Sequence, residues 1–364
     1  MTDSFPTAAA ATPFEPGEWP AGDTERAPAC RICGSERRER WLDGLTDRIF
    51  RAAPGRWILW RCGDCGAATL DPRPTPASIG RAYSRYYTHG GAEKNFLVPG
   101  DRPDLKFKRA LHLSFYNHRY GHAHAHADAL PLGWLFVAAS RWRSARAGQY
   151  IRHLPGAAAG ARLLDVGCGD GGFLRVARAM GYQASGIEID PEAARLARGQ
   201  GFEVHEGLLE AAPLAPASLD QVTLSHVIEH LHEPLAALER LRGWLRPGGR
   251  IWLQTPNVEG RGAQRYGADW RGLEPPRHLV LFGQRSLRLA LERAGFERVE
   301  LLPPQLDAAF YIAQSESIRA GREPYAVDKA GRRAARREGR AWDRAALDDP
   351  AHAESLTMVA YRPR

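Results

Sequence analysis

From Ala161 to the C-terminus, short apolar runs alternate with stretches of helical rhythm. The runs are Leu163 to Val166, Tyr182 to Ile189, Phe202 to Val204, Leu219 to Ser225, Arg250 to Asn257, Phe296 to Leu302 and Leu356 to Tyr361. Short apolar runs bounded by turn residues read as strands, and strands alternating with helices read as a doubly wound, mostly parallel α/β sheet. The helices mark their own ends. Asp190-Pro191 and Glu233-Pro234 open two of them, Leu235, Leu238, Leu241 and Leu245 keep one face apolar, and Arg246-Pro247-Gly248-Gly249 stops that helix. Gly295 closes another, Ser286 to Ala294.

Upstream the pattern changes. Residues 1–28, rich in Ala, Pro and Thr, hold too little apolar material for a core and are expected to be disordered. Residues 29–75 carry two cysteine pairs around the strand-like Arg56 to Arg61, predicting a small ribbon module. Residues 76–155 are expected to be a helical linker or lid, with Leu105, Ala110, Leu111 and Phe115 in helical spacing. The main domain then runs from 156 to 364, and its Arg- and Ala-rich insert 315–350 is expected outside the core, helical or disordered.

The chemistry is expected where the first strand meets Gly167, Gly169, Gly171 and Gly172 and a helix opens. Glycines at this spacing let the backbone approach an adenosine-bearing ligand, with the helix N-terminus directed at it. The same spacing satisfies the G-x-G-x-x-G of nicotinamide and flavin sites, and a glycine turn without a ligand is the plain structural alternative. Asp165 tilts the choice, because a carboxylate two places before the first glycine suits a cofactor with a cationic amino-acid end and repels a pyrophosphate. Glu188, near the end of the second strand, is placed to accept both ribose hydroxyls.

The string RLLDVGCGDGGFL, with LRPGG before the fifth strand and TPN at its end, resembles the class I S-adenosylmethionine-dependent methyltransferases. The resemblance implies a Rossmann-like sheet with an antiparallel last strand at its edge and S-adenosyl-L-methionine as methyl donor. It implies donor contacts from Asp165, Gly167, Cys168, Gly169, Gly171, Glu188, Ile189 and Ser225. One position departs from the pattern. Many members carry Asp after the glycine that follows the third strand, whereas this chain has Gly207-Leu208, so adenine recognition is expected to fall to backbone groups or Glu210.

The fourth strand ends in Ser225-His226-Val227-Ile228-Glu229-His230, at the carboxyl edge where open α/β sheets bind ligands. His226 and His230 share a face if this segment is helical. His-x-x-Glu-His is not the H-E-x-x-H of zinc proteases. Methyl transfer is an in-line displacement that leaves the protein to align the partners and take the acceptor's proton. A near-neutral histidine suits that task, with His230 and Glu229 the first pair expected and His226 the second. The alternative is that these residues cap the next helix and shape a wall. The long segment 258–282 reads as a substrate cap, with Trp270 as a platform for a sugar face and Arg277 and His278 on an anionic or hydroxylated acceptor. Its P-R-H-L-x-x-F string is similar to one found in bacterial methyltransferases acting on cell-surface glycans and small molecules. Tyr86 and Tyr87, clustered with Tyr83, are candidate substrate contacts, with simple packing as the alternative.

Composition adds three points. Cys30-x-x-Cys33 and Cys62-x-x-Cys65, each followed by glycine, form two knuckles whose four thiolates suit structural zinc. Lys+Arg 50 against Asp+Glu 42 gives a net charge of +8, which permits an anionic partner without naming one. The N-terminus lacks a cationic start with an apolar run, and the longest apolar stretch, Leu130 to Ser140, is too short to cross a bilayer, so a cytoplasmic location is expected. The leading expectation is methyl transfer to oxygen or carbon of a sugar, glycan precursor or other small metabolite. Two rivals come from other classes. An RNA methyltransferase would suit the positive charge, but the cations are scattered and no N/D-P-P-[YF] string is present; a non-catalytic zinc-bearing assembly protein would not need the glycine turn, Glu188 and the His-Glu-His segment together.

Overall fold

The computed structural model describes residues 17–84, 103–122 and 129–364. In chain order it begins with β1 (Thr24–Glu25), β2 (Arg38–Leu45), β3 (Trp57–Cys62), β4 (Ala68–Leu70) and β5 (Arg73–Pro74). Helices α1 (Pro103–Tyr120), α2 (Gly133–Ala138) and α3 (Arg141–Tyr150) follow. An alternating stretch comes next: β6 (Arg162–Val166), α4 (Gly172–Ala179), β7 (Gln183–Glu188), α5 (Pro191–Arg198), β8 (Glu203–Glu206), β9 (Leu219–Ser225), α6 (Pro234–Trp244) and β10 (Leu245–Pro256). The chain closes with α7 (Arg261–Tyr266), β11 (Val280–Leu281), α8 (Gln284–Arg293), β12 (Glu297–Leu301), α9 (Ala308–Arg319), α10 (Lys329–Asp348) and β13 (Ser355–Tyr361). No helix among the described residues is long and apolar enough to cross a membrane.

By compactness the chain divides into two units. One comprises Met1–Tyr87, His226–Glu239 and Leu253–Met358, the other Thr88–Ser225, Arg240–Trp252 and Val359–Arg364. The linear boundaries expected at 75/76 and 155/156 do not delimit these units, because the cysteine-bearing N-terminal region packs with 226–239 and 253–358.

In the second unit the strands order as β10-β9-β6-β7-β8, with β6 parallel to both β7 and β9. Leu163, Leu164 and Val166 of β6 and Val222 and Leu224 of β9 are buried, as expected for parallel strands covered on both faces. α4 buries Leu174, Val176 and Ala177. α5 starts where the sequence says it should: Asp190 accepts from the Glu192 N–H at 2.9 Å, and Pro191 sits in the first turn. The chain order reverses between β6 and β9, so their carboxyl ends form the switch point at which such sheets hold ligands.

In the first unit β2, β3 and β4 form an antiparallel sheet, which β11 extends through Val280↔Thr69 and Leu281↔Ala68. The string read as a substrate cap thus supplies a strand to the cysteine-bearing sheet. β12, β13 and β10 also order side by side here. The Leu302 N–H donates to the Thr357 carbonyl at 2.9 Å, and the Asn257 N–H to the Glu354 carbonyl at 2.9 Å. The last strand is therefore internal and β12 takes the edge, which corrects the expectation of an edge-forming last strand. Residues 17–28, expected to be disordered, are held: Trp19 is buried with its ring edge-on to Trp57 at 5.5 Å, and the Ala27 N–H donates to Asp71 at 2.9 Å. The insert is helical and packed, since Gly339 of α10 lies so close to α9 that a Cβ would meet Ala309 at 2.5 Å, and Asp343 accepts from the Ala308 N–H.

Candidate functional site

The turn after β6 is built around backbone that only glycine adopts cheaply. Gly169 and Gly171 have φ of 54° and 84°, and the Ile187 carbonyl accepts from both the Gly167 and Cys168 N–H groups at 2.8 and 3.1 Å. Cys168 tucks its sulfur against β7, where a Cβ on Gly186 would meet it at 2.3 Å. Glu188 closes the loop from the other side: one carboxylate oxygen accepts from the Gly169 N–H at 2.7 Å, the other from the Asp190 N–H at 2.9 Å. Burial pushes its pKa up, against those two donors. Each oxygen keeps a further lone pair for an incoming hydroxyl.

Asp165 is buried and takes hydrogen bonds from Arg152 and from Thr223 Oγ1, the latter at 2.7 Å, through the same oxygen. Its other oxygen is buried with no partner, a feature that an N–H donor on a ligand would satisfy. Burial raises its pKa despite the Arg152 charge. Arg152 and Thr223 were not foreseen. Arg152 carries no motif; its signals are structural, a positive φ of 48° and a guanidinium lying 3.7 Å from the Phe173 ring centre. Beyond β7 and β8, Ile189 and Leu208 stand 60% and 58% exposed, which bulky aliphatic side chains do at a cost unless a flat ligand covers them. Ser225 sits half-buried at the end of β9.

In the first unit, Ile228–His230 is a single 3-10 turn rather than an α-helix, and His226 takes a left-handed φ of 55°, a strain of about 1 kcal/mol for a residue other than glycine. The turn rearranges the expected pairing. Glu229, fully buried, lies 3.3 Å from His226 Nδ1 and accepts from Thr255 Oγ1 at 3.0 Å, so its histidine partner is His226 and not His230. Burial alone would lower the His226 pKa, and the Glu229 carboxylate, helped by the charges of Asp307 and Glu274, reverses this and raises it; the contact with His226 holds Glu229 below the usual carboxylate range against its own burial. The Gln254 amide nitrogen meets His226 Nε2 at 3.1 Å, and Gln305 fixes that amide by donating to its oxygen at 2.5 Å.

His230 Nδ1 faces the Arg277 carbonyl at 3.1 Å and the Tyr83 hydroxyl at 3.0 Å. A carbonyl only accepts, so Nδ1 carries the proton in neutral His230 and Nε2 holds the lone pair. His278 packs edge-on to His230 at 4.7 Å and bonds the Gly272 carbonyl through Nδ1; burial pushes its pKa down to about 4. Glu229, His230 and His278 bring one donor atom each within 4.8 Å of one another.

The expected acceptor contacts do not reach a surface. Trp270 is buried, stacked on Tyr311 with its indole N–H 3.4 Å from Glu354, so it offers no platform for a sugar. Arg277 is fully buried in a two-pronged pair with Asp47 at 2.5 and 2.9 Å and donates to the Ala82 carbonyl, so it is no anion fork. His278 is buried as well. Of the three, Arg277 ties segment 258–282 to the N-terminal region through Asp47, beside the pairing of β11 with β4, and sequence reasoning missed that partner. Tyr86 and Tyr87 lie outside the described residues.

The four paired cysteines converge. Their sulfurs all lie within 4.8 Å of one another, with Cys30–Cys65 at 3.5 Å and Cys33–Cys62 at 3.4 Å, and none is in a disulfide. Four Zn–S bonds of about 2.3 Å in a tetrahedron require sulfurs about 3.8 Å apart. Gly34 and Gly66, at φ of 77° and 79°, donate back to the carbonyls of Cys30 and Cys62 and fold each pair around one point. The donor set therefore fits zinc.

Strand order and glycine loop together define a Rossmann-like domain for a nucleoside-bearing ligand. Residues 139–301 match the family described as "Methyltransferase domain". The ubiquinone biosynthesis O-methyltransferase of Xanthomonas campestris pv. campestris (strain B100) is 38% identical over 106 residues, covering 27% of this chain and 44% of that enzyme. The chain thus spans less than half the length of that curated relative. Among solved structures, a SAM dependent methyltransferase from Archaeoglobus fulgidus is 20% identical, covering 62% of this chain and 96% of its own at a TM-score of 0.41. Phosphoethanolamine N-methyltransferase 2 of Haemonchus contortus, in complex with S-adenosyl-L-methionine, is 14% identical, covering 90% of this chain and 69% of its own at 0.42. The family match takes in the glycine loop and the His-Glu-His segment and leaves the cysteine pairs outside.

Proposed function

We propose that this protein transfers a methyl group from S-adenosyl-L-methionine to an oxygen or carbon of a small hydroxylated acceptor such as a sugar, a glycan precursor or another metabolite. The observation that carries the reading is the unpaired buried oxygen of Asp165 beside a glycine loop tied down by Glu188, flanked by exposed Ile189 and Leu208. The donor supplies an electrophilic methyl on a positively charged sulfur. Asp165 receives its ammonium, Arg152 its carboxylate, Glu188 the ribose hydroxyls, and Ile189 and Leu208 the two faces of the adenine, with Gly167, Cys168, Gly169, Gly171 and Ser225 shaping the backbone around it. Leu208 in place of an acid thus trades a hydrogen bond to adenine for apolar contact.

His226 follows β9 directly and takes the acceptor's proton, with Glu229 holding it and stabilising the imidazolium that forms. A substrate hydroxyl displaces the Gln254 N–H from His226 Nε2 to reach the lone pair. His230, tied through Nδ1, positions the turn. The curated relative's name as an O-methyltransferase supports oxygen as the acceptor atom. Zinc held by Cys30, Cys33, Cys62 and Cys65 is structural and sets the sheet onto which β11 docks.

Titration calorimetry with S-adenosylhomocysteine tests the donor site. Micromolar binding lost in Glu188→Ala supports it; capture of a nicotinamide or flavin nucleotide with no response to the sulfur compound overturns it. Labelled donor incubated with fractionated lysate then identifies the acceptor fraction.

A further inference from the structure

The longest apolar run of the chain, Leu130 to Ser140, enters the core only in part: Val137 is buried there with Trp134 packed against the same cluster, and the bulkiest of the remaining side chains face out. Leu132, Leu135 and Phe136 are 68%, 49% and 56% exposed, and Phe107 on α1 is 61% exposed. Leu135 and Phe136 lie on α2, and Leu132 precedes its first residue with a left-handed φ of 58°. On the same helix, Gly133 and Val137 are buried. Gly133 sits where a Cβ would meet Leu111 and Ser114 at 3.2 Å, and the Leu130 and Trp134 N–H groups donate to the Ala110 carbonyl at 3.2 Å and to Ser114 Oγ at 2.9 Å. α2 is thus pinned to α1 with its bulky apolar face turned outward, and the bond to Ala110 brings Leu130 within one helical turn of Phe107.

The charge around this tip is mostly positive, with Asp104 and Asp128 flanking it in sequence. Residues 105–122 and 129–150 contain no Asp or Glu, and they carry Lys106, Lys108, Arg109, Arg119, Arg141, Arg143 and Arg146. The Arg143 guanidinium lies 4.4 Å from the centre of the Phe136 ring, so cation and apolar tip are in contact. We propose that this tip seats in the headgroup layer of an anionic lipid bilayer, with Leu132, Leu135 and Phe136 reaching the acyl boundary and the Lys and Arg side chains meeting lipid phosphates. A run of this length suits an interfacial segment, since it is too short to span. A second copy of the chain fits less well, because a self-complementary contact would set one cationic rim against another. A nucleic acid would use the cations and leave three large aliphatic and aromatic side chains in water.

Co-sedimentation of the full chain with phosphatidylglycerol–phosphatidylcholine vesicles, and with phosphatidylcholine alone, tests this. The expected result is binding to the anionic vesicles only, weakened by salt, with a loss of roughly fivefold for each charge removed in Arg143→Gln and Arg146→Gln. Leu132→Ser with Phe136→Ser should cost roughly a hundredfold in lipid affinity while leaving circular dichroism and the melting midpoint unchanged, because both positions are exposed. Three results overturn the proposal: no vesicle binding by the folded wild type; a dimer in solution that this double variant converts to monomer; or salt-sensitive RNA affinity, with no lipid affinity, that the arginine variants abolish.

Discussion

Replacing Asp47 by alanine removes the carboxylate on which two parts of one compact unit depend. Both Asp47 and Arg277 are fully buried, joined at 2.5 and 2.9 Å, and Asp47 also accepts from the backbone N–H groups of Phe50, Ala52 and Ala53 at 3.1, 2.9 and 3.1 Å. Removing one partner of a buried pair costs roughly 3–5 kcal/mol, because the other charge is stranded. Asp47→Ala leaves Arg277 only the longer contact to the Glu274 carboxylate at 3.6 Å and the Ala82 carbonyl, and frees three backbone donors, each worth about 1 kcal/mol once water reaches them, so its expected cost is about 4 kcal/mol. Arg277→Met leaves Asp47 with its three N–H donors and should cost about 3 kcal/mol. The double variant should lie within about 1 kcal/mol of Asp47→Ala alone, a coupling that independent sites would not show. Urea unfolding followed by tryptophan fluorescence measures this, since Trp19, Trp57 and Trp270 are buried in the same unit. Burial would raise the Asp47 pKa, but Arg277 and the N–H donors lower it overall. The pair's contribution is therefore present above the ordinary carboxylate pKa and lost as acid protonates Asp47. The reasoning fails if Arg277→Met proves the costlier change, or if either single variant loses less than about 1 kcal/mol.

Three further outcomes follow from the same geometry. Because Glu229, with smaller help from Asp307 and Glu274, raises the His226 pKa against its burial, the methyl-transfer rate should rise with pH through a midpoint above the ordinary histidine value, and Glu229→Gln should lower that midpoint; an unchanged profile removes His226 as the proton acceptor. Burial lifts the Glu354 pKa to about 7, so its protonated form stabilises the fold below the ordinary Glu pKa and that stability is lost as pH rises to about 7. Glu354→Gln, keeping the acceptor for the Gly262 N–H, should match wild type in acid and exceed it by up to roughly 3 kcal/mol above pH 8, measured by parallel melts. Chelation, or Cys62→Ser, should release about one zinc per chain and expose the buried Trp57, read by metal analysis and fluorescence; an unaffected emission spectrum would show that the sheet stands without metal.

The pattern legible in the chain is the one that repeats locally. Leu163-Leu164-Asp165-Val166 running into glycines announces a buried strand and a ligand turn, and Asp190-Pro191 announces a helix start, because those signals need only neighbours in sequence. The cysteine pairs are legible for the same reason: each knuckle folds on its own glycine. The acceptor side was not. Arg277 and Trp270 look like surface ligands in a glycine- and arginine-rich segment, and no local signal marks a buried arginine whose carboxylate partner lies in an N-terminal loop. Likewise Glu229 beside His230 in the chain suggested that pair, whereas a 3-10 turn and a left-handed His226 hand the carboxylate to the other histidine.

By itself, then, the sequence determined the alternating α/β sheet, the glycine loop with Asp165 and Glu188, and the convergence of four thiols, since periodicity, turn chemistry and ligand spacing act over a few residues. Only the tertiary structure decided which strand lies at the edge, that segment 258–282 adds a strand to the cysteine-bearing sheet, and which histidine Glu229 serves. Those outcomes rest on burying charge and apolar surface between distant segments, where the free energy belongs to the pair and neither segment alone records it.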